Sequence, residues 1–152
     1  MVDIIHRIGI KAPLSKVYEA VSTPEGVAGW WSKETTGTSP VGGAMTSVFH
    51  SPDGKEIGRM KFDLVKLEPG KRVQWRFTAG PEEWVGTDLT FELSRDGDQT
   101  LIVFGHRNWR EAVEFMAHCS MKWATFLLSL RELLETGKGK PSPDDLKIDN
   151  WN

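Results

Sequence analysis

The chain has 152 residues, 39% apolar and 26% charged, with a net charge of −2. That is one domain's worth of sequence, long enough to bury a core without disulfides, and it carries no basic stripe of the kind that binds nucleic acid or an anionic membrane. A single cysteine, Cys119, excludes an internal disulfide and a CxxC metal or redox motif, and fits a reducing, cytoplasmic setting.

Residues 2–11 alternate well enough for a strand, and charges interrupt their apolar run, so they do not read as a signal peptide. Pro13 suits a helix start, and Val17 and Val21 then share one face. Thr23-Pro24-Glu25 supplies a cap, a first-turn proline and an acid, which predicts a second short helix ending near Trp30 and Trp31. From Gly42 the period becomes two. The runs AMTSVFH, EIGRMKFDLVKL, RVQWRF, TDLTFELS and QTLIVFGH are separated by tight turns, which predicts antiparallel neighbours. Asn108 followed by Glu111 approximates a capping box, so a long helix is expected from Asn108 to about Thr136, closed by Gly137. Its stripe is Met116, Ser120, Trp123, Leu127, Leu130 and Leu134. At roughly 27 residues it would be about 40 Å long. Residues 138–152 read as a loosely ordered tail after a single domain over 1–137. No run is long and apolar enough to insert into a membrane.

The fold class is therefore α+β: one strand, two short helices, about five more strands, and one long helix over the sheet. Two adjacent tryptophans cannot face the same way. One of Trp30 and Trp31 can enter a core, and the other needs a second apolar place.

The segments TPEGVAGWWS, VGGAMTSVFHSPDGKEIGRMKFDLVKLEPGKRVQWRF, TLIVFGH and LRELLETGKGKPS occur in an order that resembles the START-like, or SRPBCC, superfamily. More closely they resemble the family named after the C-terminal domain of the heat-shock protein 90 ATPase activator. The resemblance covers nearly the whole chain. It implies a helix-grip fold, a curved antiparallel sheet of about six strands around the C-terminal helix, with a cavity for a small apolar or aromatic molecule between them. It also implies that one tryptophan packs in the core, Trp31 being favoured, while Trp30 edges the cavity. Ser32-Lys33 stand where that family often has Gly-Pro, so the mouth loop is expected to differ.

On this reading Met60, Phe62, Trp75, Phe77, Leu89, Phe91, Met116, Ser120 and Trp123 line the cavity, with Trp30 and His106 at its edge. Small Cys119 and Ser120 beside Met116 and Trp123 leave room at mid-helix. Core packing under the helix is the plainer reading of Phe62, Trp75, Phe77 and Phe91. No GxSxG, HExxH or dinucleotide glycine pattern occurs, and His6, His50, His106 and His118 lack metal spacing. No catalytic residue, metal or cofactor is therefore assigned. Cys119 reads as a buried, inert thiol. Glu82 and Glu83 read as a solvated loop with Trp84 folding over the mouth, and Arg59 and Arg76 face outward. The expected function is small hydrophobic ligand binding without covalent chemistry. The alternatives are stimulation of a heat-shock protein 90 ATPase and a polyketide cyclase or aromatase-like enzyme. The activator proper has a further domain ahead of this one, absent from this sequence, which favours the cavity. A homodimer, supported by Trp151, and a chaperone are the macromolecular partners considered.

Overall fold

A computed structural model describes residues 1–39 and 42–152. Val41, which opens the quoted Gly-Gly stretch, lies outside them. The elements are β1 (Val2–Ile10), α1 (Leu14–Ser22), α2 (Pro24–Ala28), β2 (Glu34–Gly37), β3 (Ala44–His50), β4 (Glu56–Glu68), β5 (Arg72–Ala79), β6 (Asp88–Asp96), β7 (Gln99–Trp109) and α3 (Glu114–Thr136). One sheet of seven strands runs in the order β1-β7-β6-β5-β4-β3-β2, antiparallel at every neighbour. The long helix packs across its apolar face, which is the helix-grip arrangement.

The period-two pattern places one apolar face inward. Val73, Trp75 and Phe77 of β5 are buried with Leu89, Phe91 and Leu93 of β6 and Ile102 and Phe104 of β7. The β6–β7 turn closes at Gly97, whose φ of 60° is left-handed and suits glycine. The seventh strand, β2, is the one not expected. Its sequence ETTG has no apolar residue and only Thr35 buried, so it carries no hydrophobic signal. It forms because β3 offers an open edge, and Thr35 Oγ1 meets Ser47 Oγ at 2.8 Å across the pair.

Two local expectations are corrected. The helix begins at Glu114, not Asn108, and has 23 residues. Asn108 is the penultimate residue of β7, at φ 74°, and its N–H donates to Asp3 Oδ1 at 2.9 Å. Pairing with β1 outcompetes the cap, because Trp109 faces Val2 across that strand pair. The far end is as expected, with Gly137 left-handed at φ 93° and its N–H on Leu133 O. The tail is not loose. Ser142 N–H donates to Trp31 O at 2.8 Å and Lys33 N–H to Ser142 O at 3.1 Å. Lys122 Nζ reaches Asp145 Oδ2 at 2.6 Å and Leu146 O at 2.7 Å. Gly139 passes so close that an added Cβ would lie 2.6 Å from Gly29 O.

The last carbonyls of a helix lack intrahelical partners and need donors from elsewhere. Here two buried indoles supply them. Trp30 Nε1–H donates to Ala20 O at 2.8 Å and Trp75 Nε1–H to Val21 O at 3.0 Å, both from α1. The tryptophans thus combine ring area with a donor, which phenylalanine cannot do. Trp75→Phe should cost about 1–3 kcal/mol through the orphaned Val21 carbonyl, besides any repacking. Urea unfolding would measure it, and a loss below about 0.5 kcal/mol, the ordinary range for a surface change, would remove the capping role.

Candidate functional site

An apolar cavity of about 180 Å³ opens between α3, the β3–β4 hairpin, the β5–β6 loop and the tail. Its inner wall is three nearly parallel indoles. Trp31 stacks on Trp123 at 5.3 Å and 22°, and on Trp84 at 6.4 Å and 9°, while Trp84 and Trp123 lie 5.8 Å apart at 21°. Phe49 and Phe126 meet edge to face at 6.3 Å on the hairpin side. Ile57, Gly58, Met60 and Pro81 border the opening. From α3 come Phe115, His118, Cys119, Lys122 and Trp123, and from the tail Asn152.

The tryptophan pair takes the reverse of the expected assignment. Trp30 is the core residue, 6.4 Å from Trp75 and edge-on to Phe91. Trp31, though only 1% exposed, turns the other way and faces the cavity. The reason is local. The turn after α2 aims Trp30 at the open carbonyls of α1, and that leaves Trp31 on the hairpin side.

Of the eleven residues expected at a ligand, Met60 and Trp123 line this cavity. Phe62, Trp75, Phe77, Leu89 and Phe91 are fully buried in the layer behind the indoles and do not reach it. Met116 and Ser120 are half-buried on the flank of α3 that faces β1, where Ser120 O accepts from His6 Nε2 at 3.1 Å. The cavity stripe on α3 is Phe115, Cys119, Lys122 and Phe126, one position off the expected stripe. Its spacing of four, three and four was a usable signal, but a lysine inside it reads as solvent-facing. Trp84, expected to fold over the mouth, is instead a buried part of the inner wall, and Glu82 and Glu83 beside it are exposed.

His106 holds the wall from behind. It is fully buried. Trp123 Nε1–H donates to its Nδ1 at 3.1 Å, so Nδ1 carries no proton. Nε2 therefore bears the hydrogen and donates to Thr87 Oγ1 at 2.8 Å, and Thr87 passes its own hydrogen to Trp84 O at 2.6 Å. Burial drops the imidazole pKa to about 3, so it stays neutral. Burial likewise pushes the Cys119 thiol up to about 12, against a smaller opposing pull from the neighbouring Trp84 indole. Cys119 is thus a thiol and no nucleophile at neutral pH. Lys122 and Asp145 form a buried pair. Burial lowers the lysine against the pull of Asp145, while bonds from Lys122 and Lys147 outweigh burial and carry Asp145 below the usual carboxylate range. Outside the cavity, Arg76 Nε and Nη2 grip both oxygens of Asp88, at 2.8 and 3.0 Å, and Arg59 pairs with Glu56. Neither arginine reaches the cavity. Among the described residues, no three His, Cys, Asp or Glu side chains gather as metal ligands, and no helix is long and apolar enough to cross a membrane.

A curved antiparallel sheet gripping one helix, with an apolar cavity beside it, defines a START-like protein. Comparison with family models narrows this. The chain belongs to the family of Activator of Hsp90 ATPase homolog 1-like proteins, matched over residues 11–135. Comparison with curated proteins gave no match. Among solved structures it is similar to that of the Aha1 dimer from Colwellia psychrerythraea. The two are 45% identical with a TM-score of 0.77, over 91% of this chain and 100% of that one. It is also similar to DynU16, a putative protein in the dynemicin biosynthetic locus, with 20% identity and a TM-score of 0.75 over 90% of this chain and 48% of that one. CalU16 from Micromonospora echinospora gives 23% and 0.69 over 93% and 77%. These last two share the fold alone.

The neutral His106 makes stability depend on pH. An unfolded histidine titrates near 6.5, whereas the folded one titrates near 3. Between those values the unfolded chain binds a proton that the folded chain does not. Stability is therefore full above about pH 6.5 and falls on acidification, with a slope approaching about 1.4 kcal/mol per pH unit. Urea unfolding from pH 7.5 to 4.5 should show a shallower fall in His106→Gln. An equally steep profile in that variant would place the acid sensitivity elsewhere.

Proposed function

We propose that the protein binds a small apolar or aromatic molecule in the cavity lined by Trp31, Trp84, Trp123, Phe49 and Phe126, without covalent chemistry. The observation that carries this is an open apolar space walled by three stacked indoles, in front of a layer of fully buried aromatic residues. Its volume of about 180 Å³ sets the ligand's size. An engineered apolar cavity of roughly 150 Å³ takes benzene. A single substituted ring fits, and a sterol or flavonoid does not without moving the hairpin or the tail. Affinity would come from apolar area removed from water, at about 25 cal/mol per Å² before association costs.

A thermal-shift series with single-ring aromatics tests this. A ligand at about 100 times its dissociation constant adds roughly 2.7 kcal/mol, several degrees for a domain of this size. Cys119→Leu puts bulk into the cavity and should abolish the shift, whereas exposed Val85→Ala should retain it. A shift that survives Cys119→Leu would place the ligand elsewhere.

The family supports a second reading, in which the surface stimulates a heat-shock protein 90 ATPase. The Colwellia protein's description as a dimer supports self-association. Met121, Leu128, Leu146 and Trp151, exposed on and beside α3, supply apolar area for such a contact. Light scattering combined with a chaperone ATPase assay separates the readings. A stimulated ATPase rate in Cys119→Leu equal to wild type would assign the function to the surface and not the cavity. A cyclase-like enzyme needs a titratable group facing the ligand, and the cavity offers His118 for that place. The free thiol supports a reducing, cytoplasmic setting.

A further inference from the structure

The polar chemistry of the cavity wall narrows the ligand further, on the premise that the cavity is a binding site. Besides its indoles the wall carries His118, Cys119, Lys122 and Asn152. Lys122 Nζ is committed to Asp145 and to Leu146 O, and Asn152 Nδ2 donates to Asp145 at 3.1 Å. The Cys119 thiol is at best a weak donor.

His118 is different. Its Nδ1 lies 2.7 Å from Asp149 Oδ2. A carboxylate only accepts, so Nδ1 carries the hydrogen. Among the described residues Nε2 has no hydrogen-bond partner. The ring is held by Phe115, stacked at 6.1 Å and 13°, and by Trp151, edge-on at 5.4 Å. Asp149 belongs to an outer groove with Ala117, Met121 and Trp151 and is not part of the cavity wall, whereas His118 borders both. The two imidazole nitrogens lie on opposite sides of the ring. With Nδ1 taken by Asp149 on the groove side, Nε2 is the nitrogen left for the cavity.

We propose that His118 is the polar anchor of the cavity and that the ligand is a single-ring phenol or similarly hydroxylated aromatic. A hydroxyl suits Nε2 in either protonation state, donating to its lone pair or accepting from its N–H. A carboxylate suits only the protonated ring, since the cavity's one cation among the described residues, Lys122, is already paired with Asp145. The tail-borne Asp149 fixes which nitrogen is presented, as a positioning residue.

Phenol and toluene are the probes, alike in shape and different in one hydroxyl. Calorimetric titration of wild type and His118→Phe gives a phenol-to-toluene affinity ratio in each protein, and comparing the two ratios cancels the difference in water solubility. The ratio should fall about three- to tenfold in His118→Phe, the worth of one net hydrogen bond. In wild type labelled with ¹⁵N-histidine, phenol should move the Nε2 resonance of His118 and toluene should leave it in place. This second measurement needs no variant to fold. If both probes bind, the ratio is unchanged and Nε2 is unmoved, the anchor is wrong and the cavity stands. If neither probe binds wild type, the cavity reading falls together with the anchor.

Discussion

The hydrogen bond from the Trp123 indole to Nδ1 of His106 is the contact on which the rest of the structure depends. It joins α3 to β7 in the centre of a layer otherwise made of rings and aliphatic chains. Aromatic packing alone is tolerant, since a ring can slide or tilt at little cost. A buried donor and acceptor are not, because separating them leaves two unsatisfied groups away from water. This one bond therefore sets the height of the helix over the sheet. Through Thr87 it also fixes the Trp84 carbonyl, and hence the loop that forms the opposite wall of the cavity. Helix, sheet and loop are registered by one neutral imidazole.

The architecture was legible in the sequence wherever burial imposes a period. β4 to β7 alternate because one face is covered, and the turns between them carry the residues that tight turns require. Gly137 stops the helix where a left-handed residue is needed. What escaped was decided by partners distant in sequence. Asn108 has the local chemistry of a helix cap, yet Asp3, 105 residues away, takes its N–H and keeps it in the strand. ETTG has no pattern of its own and becomes β2 because β3 has a free edge.

The candidate site was less legible, for a related reason. The strongest apolar positions, such as Trp75 and Phe91, are consumed by the core, so they are poor guides to an opening. A cavity forms where packing is incomplete, and its walls come from the margin of the helical stripe: Phe115, Cys119, Lys122 and Phe126. The fates of Trp30 and Trp31 rest on one fact invisible in a linear reading. The carbonyls of Ala20 and Val21 need donors, and Trp30 and Trp75 are placed to supply them. Once Trp30 is committed there, Trp31 is left for the cavity.

The tail completes the site by a different physics. Residues 138–152 have little apolar area to bury, so hydrophobic collapse gives them no fixed course. Directional contacts do. Ser142 bridges the Trp31–Lys33 backbone, and Lys122 and Asp145 meet in a buried pair. Such a pair is a weak source of net stability, because desolvating two charges offsets most of their attraction. It is a strong source of position, because either charge left alone in that place would be costly. Burial of Lys122 on the cavity side of α3 thus forces an acid to come to it, and Asp145 brings with it the segment that carries Asn152 to the cavity and Asp149 to His118. A lysine in an apolar stripe, which reads in isolation as a surface residue, is on this account what recruits the fourth wall.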